Sequence, residues 1–251
     1  MRSASLFLLC AGLAGAASGA GLPGPDDRLQ LQVTSEVSTG SLDEPSGIPV
    51  RQSTLSLRYR AERWTAQVEL PWRHVAGLQG FAAPQAPGSR SAHQGFGQAR
   101  MTLVLPLRQS APQDTNVDLV LRVQGGSGTA VGGVDLGNAG QSMRLAARRA
   151  VGDWNLFGSM GWRRAGDLPG TDPNRSAWQG ELGLSRRFGS RIEAGGFADL
   201  RSRVAGEPAL PEATLYAALN DGGRRWQVFV SRAFAQPFQD VSVGLTYRAS
   251  F

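Results

Sequence analysis

The chain has 251 residues and a formal net charge of +6, from 26 basic and 20 acidic side chains. That length suits one or two soluble domains or one mid-sized barrel. The charge raises the question of nucleic acid, but every basic residue is an arginine, and the arginines are spread along strands and turns with no patch. Cys10 is the only cysteine and falls in a segment expected to be removed, so disulfide and thiol chemistry are excluded from the mature protein.

Residues 1–20 read as a cleaved signal peptide. Arg2 supplies the positive charge, Leu6 to Ala17 the apolar stretch, and Ser18-Gly19-Ala20 the small-residue cleavage site. Residues 21–27 form a short leader, too small for a plug domain. No later apolar run is long enough for a membrane helix. Any membrane-spanning part must therefore be a closed β-barrel.

From residue 28 the apolar positions alternate with polar ones. About twelve segments emerge, each near the ~9–11 residues that a tilted membrane strand needs. They are 28–38, 53–61, 63–75, 98–108, 115–125, 141–150, 153–165, 177–187, 190–201, 210–219, 224–233 and 238–251. In the third, Trp64, Ala66, Val68, Leu70 and Trp72 share one face. Short connections, such as Gly152, Gly189 and Asp221-Gly222-Gly223, alternate with long ones at 39–52, 76–97, 126–140, 166–176 and 202–209. A secreted β-sandwich shares the alternation of residues but has no reason for this alternation of loops. An outer-membrane barrel has tight periplasmic turns and long outer loops.

The tryptophans support the same reading. Trp64 and Trp72 are spaced like Trp154 and Trp162. Eight residues at ~3.3 Å make about 26 Å along a strand, close to the height of the apolar band once tilted. Each pair can place one ring in each aromatic girdle. Tyr59, Trp64, Trp154, Trp226 and Phe251 are expected on the periplasmic side, and Trp72, Trp162 and Trp178 on the outer side. The last strand alternates strictly from Val241 to Phe251 and stops on the aromatic residue. It resembles the closing strand of bacterial outer-membrane barrels, in which the terminal aromatic and the preceding Tyr247 serve as an assembly signal.

Three further pieces resemble a family. Leu57-Arg58-Tyr59-Arg60 precedes a tight turn, Val68-Glu69-Leu70-Pro71-Trp72 follows on the next strand, and Gly95-Phe96-Gly97 opens the strand after a long loop. They resemble the outer-membrane family named for the MetA pathway of phenol degradation, described as transporters. The chain departs from that pattern at Gln98, where members often carry Asp, and at Ala61-Glu62-Arg63, where a Gly-x-Thr turn is usual. The resemblance implies an outer-membrane barrel that passes small, often aromatic compounds. It brings no catalytic residue.

Strand parity turns Arg58, Glu69, Arg73, Arg100, Asp118, Arg122, Arg144, Glu181, Glu193, Asp199, Arg201 and Arg248 toward the lumen, together with Arg108 and Arg148. Such a lining is either a mutually paired polar filling or an anion-favouring pore. Arg163, Arg164, Arg175, Arg203 and Arg232 fall near outer strand ends, within reach of lipopolysaccharide phosphates. The two histidines, His74 and His93, form no triad or metal spacing with Ser or carboxylate neighbours. The sequence thus reads as an antiparallel transmembrane barrel of about twelve strands, residues 28–251. It sits in a Gram-negative outer membrane and passes small, aromatic or anionic solutes without cofactor, metal or catalysis. Its expected partners are outer-membrane lipid, lipopolysaccharide, the barrel-assembly machinery and a small-molecule solute. A structural or adhesive barrel with a closed lumen is the alternative, and a rim-active hydrolase a weaker one.

Deleting Phe251 should lower assembly into the outer membrane and leave export across the inner membrane intact. Fractionation followed by heat-dependent gel migration measures both; unchanged assembly of the shortened chain would refute the role of the terminal aromatic.

Overall fold

The computed structural model describes residues 28–39, 49–75, 93–111, 114–125, 140–165, 176–201, 211–234 and 241–251. The expected signal segment and leader, and most of each long connection, lie outside the described residues. Among the described residues thirteen strands form one antiparallel sheet. They are β1 (Leu29–Thr39), β2 (Pro49–Arg60), β3 (Thr65–Val75), β4 (His93–Phe96), β5 (Arg100–Arg108), β6 (Asn116–Gln124) and β7 (Gly140–Val151). The others are β8 (Trp154–Ala165), β9 (Ser176–Phe188), β10 (Ile192–Arg201), β11 (Glu212–Asp221), β12 (Arg224–Ala233) and β13 (Val241–Ser250).

Closure follows from β1, which pairs with β2 on one side and with β13 on the other. Because β2 also pairs with β3, twelve strands complete a ring and β4 is an extra strand beside β3. The seam is finished by backbone hydrogen bonds between Leu29 and Phe251, at 3.2 and 2.8 Å. The fold is the expected all-β transmembrane-type barrel, and each of the twelve alternating segments corresponds to one strand of the ring.

The tight turns explain the antiparallel order. Gly222 and Gly223 have φ of 49° and 83°. Two consecutive positive φ values make the type I′ turn whose twist matches that of the flanking strands, and side-chain-bearing residues adopt it at a cost. Gly152 and Gly189 also take positive φ in their short turns.

Two irregularities reset the strand parity. Glu69 pairs with Arg100, but Trp72 pairs with Phe96, so Leu70 and Pro71 face three residues, Gly97 to Ala99. This bulge puts Phe96 on the outer face, where it meets the Trp72 ring at 4.6 Å, and puts Arg100 inside. Residues 93–96, read from sequence as part of the long connection 76–97, are therefore strand. Gly97 is required here: its backbone donates to the Pro71 carbonyl at 2.7 Å, and a Cβ would lie 2.8 Å from Pro71 Cγ. The second shift lies between Pro106 and Arg108, where Pro106 pairs with Asp118 and Arg108 with Val117. Val117 belongs to the apolar outer face, so Arg108 does not keep the inward position that simple alternation gave it.

Burial is inverted relative to a water-soluble protein. Large apolar side chains are exposed: Leu182 at 71%, Leu215 at 66%, Met160 at 65%. Polar side chains are buried: Glu193 at 1%, Ser185 at 0%, Glu36 at 2%. In water the first set would lose about 25 cal/mol for each Å² left uncovered. Against lipid tails that cost disappears, and the continuous exposed apolar surface is the lipid-facing wall. Rings gather toward its two ends. Tyr59 meets Trp64 at 5.6 Å and Trp226 meets Tyr247 at 4.4 Å toward the short turns. At the other end Trp162 is the cross-strand partner of Trp178.

Leu182→Arg separates lipid from water at this surface. On a solvated face the change is close to neutral; at mid-wall in a bilayer it should cost about 2–4 kcal/mol, while Leu182→Ala costs far less. Equilibrium unfolding in phospholipid vesicles gives both values.

Candidate functional site in the barrel interior

The interior is built from alternate residues of every strand, and it divides into two arcs. Along β1, β2, β3 and β13 it carries arginine and glutamine. Arg58 donates through Nε and Nη2 to Gln67 Oε1, at 3.0 and 2.7 Å. Gln67 Nε2 in turn donates to Glu69 Oε1 at 2.7 Å, and Arg100 Nη1 lies 3.9 Å from the other Glu69 oxygen. Arg248 Nε donates to Gln32 Oε1 at 3.1 Å, and Arg73 Nε to Gln52 Oε1 at 2.7 Å. Hydroxyls complete the arc, with Thr34 and Thr246 3.0 Å apart.

On β10 to β12 the chain of contacts continues. Glu193 accepts from Arg225 Nη1 at 3.0 Å and from the Tyr216 hydroxyl at 2.9 Å. Arg225 also donates to Gln227 Oε1 at 3.2 Å and Asn220 Oδ1 at 3.3 Å. Removal of two charges from water costs several kcal/mol per ion unless other hydrogen bonds surround them. Tyr216, Gln227 and Asn220 are those other partners.

Aromatic rings line the second arc, and sequence reading missed them. Phe157 and Phe197 flank Gly183, which is the cross-strand partner of both, with ring centroids 6.4 Å apart. Tyr216 and Phe229 are partners across β11 and β12, and each faces a glycine on its other side, Gly195 and Gly244. Gly183 and Gly244 leave the space into which the Phe157 and Phe229 rings fold. Each aromatic has inward parity, so the signal was present as Phe or Tyr at the same register as Gly on the next strand.

Of the residues expected to line the lumen, Glu69, Arg100, Arg144, Glu193 and Arg248 are buried. Arg58, Arg73, Asp118, Arg122, Glu181 and Asp199 are half-buried on the same inner face. Arg122 Nε donates to Thr102 Oγ1 at 3.2 Å. Glu181 and Asp199 are cross-strand partners, and Asp199 also pairs with Glu212, which gives a carboxylate row toward the long-connection end. Arg201 ends β10, and its side chain lies outside the described residues. Arg225, absent from the sequence-derived set, donates to Glu193, Asn220 and Gln227. His74 is half-buried and shares the outward face with Trp72. Among the described residues, no three His, Cys, Asp or Glu side chains are arranged to hold a metal ion.

A cavity of about 10 Å³, lined by Gln30, Gln32, Ser56, Arg58, Gln67 and Arg248, is close to the least that admits one water.

No protein-family model and no curated protein matches the chain. Solved structures do. An outer-membrane channel from Pseudomonas putida F1 aligns with a TM-score of 0.67 at 13% identity, over 91% of this chain and 99% of the other. The translocator domain of the autotransporter NalP from Neisseria meningitidis aligns at 0.53 and 13% identity, over 95% and 92%. The β domain of the Bordetella autotransporter Brka aligns at 0.50 and 17%, over 89% and 99%. At such identities the likeness is one of fold. Fold and lipid-type surface agree on an outer-membrane β-barrel, located in the bacterial outer membrane.

Arg225→Met leaves Glu193 buried without its cation and should destabilise the barrel by about 3–5 kcal/mol. Adding Glu193→Leu removes the stranded charge and should recover most of the loss. Urea unfolding of the refolded variants in vesicles checks the sign and the recovery.

Proposed function

We propose that the barrel provides passive passage for small solutes across the outer membrane. The supporting observation is the polar interior enclosed by an apolar wall, the division that a channel for water-soluble molecules requires. The guanidiniums of Arg58, Arg100, Arg122 and Arg248 on the inner face favour anionic solutes, because an Arg-lined wall raises the local anion concentration. The aromatic arc of Phe157, Phe197, Tyr216 and Phe229 offers a face for planar apolar groups. Membership in the phenol-degradation family, with its aromatic compounds, would be consistent with that arc. The reading is non-enzymatic and takes no cofactor.

A second reading has its own observation. Near the short turns Glu193 and Arg225 are paired with each other and almost wholly buried. A barrel with a closed lumen, structural or adhesive in role, would look the same in its resting form.

Partners at the two rims belong to the same proposal. Arg232 is exposed on the outward face with its guanidinium 5.6 Å from the Phe234 ring, and Arg164 shares that outward side at its strand end. Both suit lipopolysaccharide phosphates. Tyr247 and Phe251 on the closing strand suit recognition by the barrel-assembly machinery.

Planar-bilayer recordings of the refolded protein test the passage. The expected result is a small conductance with anion preference, weaker at high salt, and a reduced preference in Arg100→Gln/Arg122→Gln. A refolded barrel with no conductance would remove the passage reading and leave the closed structural barrel.

A further inference from the structure

We infer that Arg186, set between Trp154 and Phe188 on the lipid-facing wall, forms a binding site for the phosphate of an anionic phospholipid in the periplasmic leaflet of the outer membrane. The site lies outside the barrel, so it holds whether or not the interior passes a solute.

Three observations carry it. The first is how the side chain is held. Arg186 is exposed on β9, and its guanidinium carbon lies 5.4 Å from the centre of the Trp154 ring and 5.3 Å from that of Phe188. Its outward direction follows from Trp154, its cross-strand partner, and from Leu184 and Phe188 on the same strand, all three exposed on the wall. The ring faces attract and position the cation, but its five N–H donors still need oxygen acceptors. Among the described residues no carboxylate lies within ion-pair distance of Arg186. Asp153 is exposed in the neighbouring turn, where its backbone carbonyl accepts from the Arg187 N–H at 2.9 Å. The second observation is depth. Arg186 stands two residues from the end of β9 at Phe188, about 7 Å along the strand and about 5 Å in height after tilt. Short turns face the periplasm, so the guanidinium reaches the headgroups of the inner leaflet while its stem lies along the apolar wall. The third is charge. At the short-turn end, the lipid-facing positions carry arginine on β5, β7 and β9, at Arg108, Arg149 and Arg186. The outward positions of β5 to β9 carry no acid. A phosphodiester presents two free oxygens, the pair that a guanidinium fork matches. With no outward carboxylate on these strands to receive an ammonium, the site favours a lipid of net negative charge, such as phosphatidylglycerol, over phosphatidylethanolamine.

The test uses the refolded barrel in a neutral detergent, phosphatidylglycerol as the probe, and native mass spectrometry to count the lipids retained. The unaltered protein should hold phosphatidylglycerol in preference to phosphatidylethanolamine. Arg186→Gln should weaken the tightest binding by about tenfold or more, the loss of one charged hydrogen bond. Arg186→Lys keeps a charge but not the planar fork; it should also bind more weakly, and it keeps the test decisive if the glutamine variant does not refold. Phe188→Leu keeps the arginine and the apolar wall, and should weaken binding by removing one of the two rings that position the cation. Arg224→Gln, exposed beside the β11–β12 turn and paired across it with Asp221, should bind as the unaltered protein does. Inorganic phosphate, which has no acyl chains, should not displace the lipid, and lipid A should compete less well than phosphatidylglycerol itself. The proposal is overturned by unweakened binding in both Arg186 variants, by equal retention of phosphatidylethanolamine, by displacement with inorganic phosphate, or by stronger competition from lipid A, which would assign the arginine to lipopolysaccharide. Conductance has no bearing on this site: loss of the lipid with conductance intact removes the lipid site alone, and lipid binding without conductance removes the passage alone.

Discussion

Backbone hydrogen bonding in the absence of water is the constraint on which everything else rests. In the bilayer core an unpaired N–H or C=O costs several kcal/mol, so a sheet can cross only if it has no edge. The chain meets this demand by joining its first strand to its last, with ten consecutive residue pairs between β1 and β13 and a final Leu29–Phe251 contact. Given closure, each strand has one face to lipid and one to a shared interior. Alternation of residue types then does the rest: Val, Leu and Trp go out, Arg, Gln, Glu and Ser go in.

A twelve-stranded ring is narrow, and its interior must be filled or kept open by side chains. Here both demands are visible. Glycine and ring pairs, such as Gly183 with Phe157 and Gly244 with Phe229, fill part of one arc by folding aromatic rings over glycines. The opposite arc is held by neutral amides that steer guanidiniums. The Glu193–Arg225–Tyr216 cluster joins β10, β11 and β12 near the short turns. An interior of this kind is rigid where its polar groups are bonded to one another.

Much of the fold was legible in the sequence because period-two patterning, turn glycines and paired tryptophans are local signals. The strand ring, its number and its inside–outside division follow from them. What escaped was non-local. The bulge at Gly97–Ala99 answers to Pro71 on a neighbouring strand, so residues 93–96 looked like loop. Arg108 lost its inward parity to a register shift against Asp118 and Val117. Inward placement of charged residues such as Glu69 and Glu193 could be read from parity, but their partners could not. Arg225 joins Glu193 across two ladders, and Gln32 joins Arg248 from opposite ends of the chain. The aromatic arc needed the register to show that each ring stands beside a glycine.

The account depends most on the inverted wall, and β12 is the strand on which to measure it. Cys10 is the only natural cysteine, so single cysteines can be placed one at a time from Gln227 to Ser231 and spin-labelled in vesicles. Power saturation should show high oxygen accessibility at Val228 and Val230, and low oxygen accessibility at Gln227, Phe229 and Ser231. Uniform accessibility to a water-soluble relaxant along the strand, or the opposite alternation, would contradict the membrane barrel itself.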